Sequence, residues 1–302
     1  MKVCYLIQSH NNPEQVCRLA RIIKISSPNC QVLISHDFST SYLDIAPLSD
    51  LSGVDLIKRN KPPIRSEYSF FEVYLEALDW LFEHSSDFDW LVYLSGQDYP
   101  TQPLSKFEEF LSNTEYDAFI QHWKTGPWHP QNRGYTRFYY QYYFYIPKWL
   151  HPVVKKISRI NQIQSIIHIF TTFGMRVGVK SFSIPFNDNF VCYGNVTWCS
   201  ISRKCLKYLK EFLRNNPKLV NYYKRTIAPE ESIIATVLAN NKSFNLCDND
   251  MRYVVIGDRQ TGHYKIMTIE DYPNMTNGNF YFARRFDPNS EILDLLDPKI
   301  LS

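Results

Sequence analysis

The sequence predicts an α/β fold built on a mostly parallel, Rossmann-like sheet with helices on both faces. Three observations carry this expectation. Strand-like and helix-like segments alternate through the first 110 residues, the pattern of βα units rather than of hairpins. Residues 88–111, FDWLVYLSGQDYPTQPLSKFEEFL, contain a short, almost wholly apolar run, as a central strand covered on both faces requires. No internal repeat and no Gly/Ser linker interrupts the 302 residues, so one integrated domain over 1–302 is expected.

Lys2 to Gln8 reads as the first strand, and Pro13 to Ile25 as a helix with Val16, Leu19, Ala20 and Ile23 on one side. Gln31 to Ser35, ending at His36-Asp37, and Val54 to Ile57 read as the next two strands. Ser69 to Phe82 is an amphipathic helix through Phe70, Val73, Leu75, Leu78 and Leu81, leading into the strand at Leu91. That strand ends in Ser95-Gly96-Gln97-Asp98, Tyr99-Pro100 stops it, and Leu104 to Leu111 resumes with helical spacing. Ligands of open parallel sheets bind outside the carboxyl ends of the strands, which makes Asp98 a candidate site residue.

Beyond residue 115 strands are harder to place. Asp117 to Gln121 and Asn195 to Ser200 read as extended, and an aromatic insertion reaches about Pro185. Ser202 to Leu213 and Pro229 to Leu238 read as helices; a strand near Tyr253 to Ile256 and a loop-rich tail follow.

Apolar content of 44% with 21% charged residues is that of an ordinary globular protein and excludes disorder. A net charge of +3 without a dense Lys/Arg run argues against nucleic acid, while a local anionic ligand stays open. The opening MKVCYLIQSHNNPEQ is too short an apolar run for a signal peptide or a membrane span. Seven cysteines, an odd number without CxxC spacing, read as reduced thiols of a cytoplasmic protein. Aromatic residues concentrate in RFYYQYYFYIPKWL, residues 137–150, followed by Val153, Val154, Lys155 and Lys156. This segment is either a packing platform or a carbohydrate-stacking or membrane-surface element, because Tyr and Trp suit half-wet interfaces.

No GxGxxG, P-loop, HExxH or GxSxG motif occurs, so the site must be made of carboxylates, aromatics and basic residues. Asp87 and Asp89 form an Asp-x-Asp, yet they precede the strand, at its amino end. Asp98 is at the ligand-binding end but stands alone, and one carboxylate is a poor metal cage. In APEESIIATVL, Glu230 and Glu231 follow Pro229 at a helix start. Helix-dipole chemistry accounts for these residue types; alternatively one carboxylate projects into the crevice as a general base. Arg252, before a late strand, and Arg284 and Arg285, between aromatics, are suited to phosphate.

Read in order, four segments resemble the Core-2/I-branching β-1,6-N-acetylglucosaminyltransferase family, which includes the peptide O-xylosyltransferases. They are YLIQSHNNPEQVCRLARII, DWLVYLSGQDYPTQPL, APEESIIATVL and FYFARRFD, and together they span nearly the whole chain. The resemblance implies a GT-A-type fold that binds a UDP-sugar, UDP-GlcNAc or UDP-xylose, and inverts the anomeric carbon without a metal or other cofactor. It places a nucleotide-binding half at 1–115 and an acceptor-binding and catalytic half at 116–302. Glu231 matches the catalytic base, preceded by Glu230. Arg252 matches a diphosphate-binding residue and Arg285 a Lys that accompanies it. Asp37 matches a residue near the nucleotide, bordered by Gln8, Ser9 and His10. Tyr193, Gly194 and Trp198 resemble the segment walling the sugar and acceptor, where Asp98 and Glu230 are also expected.

Animal members carry an N-terminal membrane anchor and disulfides, whereas this sequence opens on the catalytic fold. That implies a bacterial-type cytoplasmic member acting on a glycan or lipid-linked acceptor, with Tyr135 to Lys156 as a contact at the inner membrane face or as an ordinary lid. A carbohydrate-binding protein that has lost turnover, and a metal-dependent enzyme using Asp87, Asp89 or Asp98, are the competing readings.

Overall fold

A computed structural model describes residues 1–84, 87–127, 134–172, 174–258 and 263–302. The chain begins with β1 (Val3–Ser9), α1 (Pro13–Ser26), β2 (Gln31–Asp37), β3 (Val54–Arg59), α2 (Tyr68–His84) and β4 (Trp90–Ser95). Next come β5 (Asp98–Pro100), α3 (Leu104–Asn113), β6 (Ala118–Phe119), β7 (His122–Lys124), α4 (Tyr135–Phe138) and β8 (Tyr140–Tyr145). The middle continues with α5 (His151–Ile157), β9 (Ile167–Phe170), β10 (Arg176–Lys180), β11 (Tyr193–Asn195), β12 (Ser200–Ser202), α6 (Arg203–Asn215) and α7 (Pro217–Tyr223). The last elements are α8 (Ile233–Ala239), β13 (Leu246–Cys247), β14 (Arg252–Val254), β15 (Ile256–Asp258), β16 (His263–Tyr264), α9 (Tyr272–Asn277), β17 (Phe282–Arg284) and α10 (Ile292–Ile300).

Among the described residues the central sheet has seven strands in the order β13-β6-β12-β4-β1-β2-β3. β1 runs parallel to both β2 and β4, and β2 parallel to β3, whereas β12 is antiparallel to β4 and β6. The fold is therefore mixed α/β with a mostly parallel sheet. Successive side chains of a strand point to opposite faces, and β1 divides accordingly. Tyr5 and Ile7 join a core under α1, α3 and α10, through Val16, Phe107 and Leu296. Cys4 and Leu6 join the core under α2, α6 and α8, through Leu78, Leu206 and Val237. Each such fully buried aliphatic side chain contributes about 1.5–3 kcal/mol.

The chain leaves β1 toward β2 and β3, then returns to the other side of β1 as β4. That reversal opens a crevice at the carboxyl ends of β1 and β4. Gly96 sits in the turn there because nothing larger fits: a Cβ at this position would lie 2.9 Å from Val16 Cγ2 and 3.0 Å from Ser9 Cβ.

Three expectations need correction. Tyr99-Pro100 does not end extended structure, since Asp98 to Pro100 pair antiparallel with β17. The tail is not loop-rich: β17 lies between β14 and β5, and α10 buries Ile292, Leu293, Leu296 and Ile300. The helix expected from Pro229 to Leu238 is broken into a 3-10 turn at Pro229–Glu231 and α8. Ser232 makes the break, with φ −151° and its Oγ donating to the Tyr193 carbonyl at 2.7 Å. Local bonding of a Ser side chain to backbone here outcompetes continuous helix.

Candidate active site

A cavity of about 650 Å³ occupies the crevice. One wall comes from the ends of β1 and β2. Gln8 accepts a hydrogen bond from the Tyr93 hydroxyl, which orients its amide. Ser9 Oγ lies 2.8 Å from His36 Nδ1, and His36 Nε2 lies 2.9 Å from the Ser41 carbonyl. A carbonyl only accepts, so Nε2 carries the proton and Nδ1 accepts from Ser9. Burial pushes the His36 pKa down, in keeping with a neutral ring. Asp37 accepts from the Ser39 amide at 3.0 Å, Ser39 Oγ at 2.6 Å and Thr40 Oγ1 at 3.0 Å. Burial opposes its ionisation, yet these bonds prevail and hold its carboxyl below the usual range. His10 is exposed at the rim.

Across the cavity stand Glu230 and Glu231. Ala228, in the left-handed region at φ +51°, turns the chain into this acidic segment. Ile227 and Ala228 are clamped by Tyr140, Tyr142 and Phe170, so the aromatic insertion fixes the approach. Glu230 is only 7% exposed and its Oε2 has no hydrogen-bond partner. Burial first, and the adjacent Glu231 charge second, push its pKa up to about 8. Glu231 is half-buried and accepts from Arg137 Nη1 in an ion pair. One of the two glutamates is thus pushed toward its protonated form, while its neighbour is paired with a cation.

Arg284 and Arg285 also line the cavity. Arg284 lies 4.6 Å from the centroid of Trp198 and 5.0 Å from that of Tyr264, with its Nε 3.4 Å from Asp98 Oδ1. Its Nη1 and Arg285 Nε are buried without a hydrogen-bond acceptor, donors suited to an anion. Among the described residues no group of three or more His, Cys, Asp and Glu side chains converges as a metal cage. Asp89, at the amino end of β4, instead accepts from the Lys2 amide.

The structure brings Gln8, Ser9, His10, Asp37, Trp198, Glu230, Glu231 and Arg285 to one cavity. Four expected residues are not on its wall. Arg252 lies beneath the crevice, donating to the carbonyls of Asp250 at 2.7 Å and Tyr93 at 3.0 Å, where it braces strands. Asp98 is wholly buried and accepts from the Ser95 amide at 2.8 Å and Ser95 Oγ at 2.9 Å. It shapes the turn and anchors Arg284 rather than reaching a sugar. Tyr193 serves through its backbone, which engages Ser232 and Thr236. Gly194 admits a neighbour: a Cβ there would fall 2.6 Å from the Trp123 indole, and Trp123 lines the cavity. Arg65, Trp123, Arg137 and Tyr264 were missed by sequence reasoning. Arg137 stood inside the conspicuous aromatic run; the others lie in segments without any motif.

The sequence model of the Core-2/I-branching enzyme family matches residues 5–276. Among curated proteins, the chain is 25% identical over 232 residues to the beta-glucuronosyltransferase GlcAT14A of Arabidopsis thaliana, covering 76% of this chain and 46% of that protein. It is 23% identical over 231 residues to GlcAT14B of the same plant, covering 75% and 47%. The chain spans about half the length of these relatives. Among solved structures it is similar to the galactosyltransferase LgtC in complex with donor and acceptor sugar analogs, at 10% identity and a TM-score of 0.37, covering 100% of this chain and 97% of that one. A glucose-1-phosphate thymidylyltransferase from Bacillus anthracis in complex with a sucrose aligns with a TM-score of 0.31 at 11% identity over 69% of this chain and 75% of its own.

Proposed function

Since the chain belongs to the Core-2/I-branching enzyme family of glycosyltransferases, we propose that it moves a sugar from a UDP-sugar to a hydroxyl of a glycan or lipid-linked acceptor, inverting the anomeric carbon without a metal. The observation that carries the proposal is that Glu231 shares one cavity with Arg284 and Arg285. An ionised carboxylate and a pair of guanidinium groups are the two charges a single displacement needs. Glu231 takes the proton of the acceptor hydroxyl as that oxygen bonds to the anomeric carbon. The bond from this carbon to the UDP oxygen breaks on the opposite face, and the arginines stabilise the negative charge left on UDP. Arg137 pairs with Glu231 and holds it in position. Gln8, Ser9 and Asp37 border the nucleotide, and Trp123 and Trp198 offer flat apolar surface to a sugar ring.

The resemblance to N-acetylglucosaminyl- and xylosyltransferases and the similarity to glucuronosyltransferases leave three donors in view: UDP-GlcNAc, UDP-xylose and UDP-glucuronate. A panel of UDP-sugars, with UDP release measured with and without acceptor and with EDTA, separates them and tests the absence of a metal requirement. With the donor identified, Glu231→Gln should lower kcat by about 10²–10⁴-fold, the usual worth of a general base, while leaving UDP affinity intact. Substantial transfer by this variant removes Glu231 from the role of base. Arg285→Ala should weaken UDP binding by about tenfold or more, the worth of a lost charged hydrogen bond. UDP binding without release from any donor would instead mark a binding protein.

A further inference from the structure

We propose that the outer surface of the aromatic insertion docks on an anionic phospholipid bilayer. The first support is charge. Residues 118–187 contain nine Lys and Arg and no Asp or Glu, so the other 232 residues hold 24 Lys and Arg against all 30 acids. Two of the nine, Arg137 and Arg176, pair inward with Glu231 and Glu67, and the positive excess on the outer surface rests on exposed residues such as Lys148, Lys155, Lys156 and Arg159. Arg133 belongs to the nine but lies outside the described residues.

The second support is exposed apolar surface within the same stretch. Ten of the twenty large apolar side chains exposed among the described residues fall between Tyr143 and Phe182. Trp149, Val153 and Ile157 recur every four residues and are 77%, 53% and 52% exposed, the spacing of one helical stripe. Lys148, Lys155, Lys156 and Arg159 are exposed alongside. Aromatic and aliphatic tips flanked by lysines match the boundary between acyl chains and acidic headgroups.

A second copy of the chain is a poor occupant. A two-fold interface sets the same patch against itself, which here would oppose like charges on both sides. A lipid surface supplies the complementary sign. Docking also bears on the cavity, because β8 buries Tyr140 and Tyr142 against Ile227 and Ala228, ahead of the acidic turn, and exposes Tyr143, Phe144 and Tyr145.

The test is flotation of the full chain with vesicles, read without turnover and so independent of the proposed activity. Vesicles of phosphatidylcholine alone are compared with vesicles holding about 30% phosphatidylglycerol. Binding to the anionic vesicles should exceed that to neutral ones at least about tenfold and fall with added salt. Taking about fivefold per basic residue, Lys155→Glu combined with Lys156→Glu should reduce partitioning about thirtyfold or more. Trp149→Ser should reduce it with the Tm unchanged, which separates lost docking from lost folding. Equal binding to both vesicle types, or none at low salt, overturns the proposal. So does a dimer in light scattering that Trp149→Ser dissociates.

Discussion

Glu230 ties the stability of this protein to pH through one buried proton. Its carboxyl, raised to about 8 by burial and then by Glu231, starts from an ordinary value of 4.5. A group whose folded pKa lies above its unfolded one contributes stability that is fully present below the unfolded value and is lost as pH rises through the folded value. Between roughly pH 4.5 and 8 the folded state keeps the proton while the unfolded chain has released it. Unfolding free energy then falls by about 1.4 kcal/mol per pH unit from this group. Glu230→Gln keeps the size and polarity of the side chain and removes the titration. Urea unfolding midpoints at several pH values across this window, for both proteins, measure the difference. The variant should gain on the parent steadily as pH rises, by a few kcal/mol at the upper end. Because the Glu231 charge is the second cause, Glu231→Gln should narrow the window. Parallel curves for parent and Glu230→Gln would refute the assignment of a retained proton.

Arg137→Met preserves packing on Phe138, whose ring centroid lies 4.9 Å from the guanidinium carbon. It frees Glu231, so kcat should fall about 10–100-fold with UDP affinity unchanged and partial rescue by Arg137→Lys. Asp98→Asn leaves Arg284 buried without its counter-charge; a loss of about 3–5 kcal/mol should appear as a Tm lower by roughly 5–10 °C. Gly96→Ala must force apart Ser9 and Val16, which should cost about 1–3 kcal/mol in urea unfolding and raise the donor KM.

The first half of the fold was legible because β1, β2 and β4 bury both faces and α1 and α2 carry their own helical period. Leu91 to Leu94 could be read as a central strand from four letters. The second half was less legible because its strands are short and paired at long range: β12 has three residues and β13 two. Phe282 to Arg284 become a strand because Arg252 to Val254 and Asp98 to Pro100, both distant in sequence, lie on either side. The same limit applies to the site. Glu231 and Arg285 stand in recognisable segments, whereas Arg65 and Tyr264 carry no local signal.

The sequence by itself determined the family, the alternation of strand and helix, and the acidic and basic residues from which chemistry can be made. Period and composition are local properties, and four ordered segments preserve them. Only the tertiary structure decided which of those charges face one another. It sent Arg252 and Asp98 under the crevice, brought Arg284 to its wall, and delivered Arg137 from the aromatic insertion to Glu231. The physical reason is that burial and ion pairing depend on distance in space, and Arg137 and Glu231 are 94 residues apart in the chain.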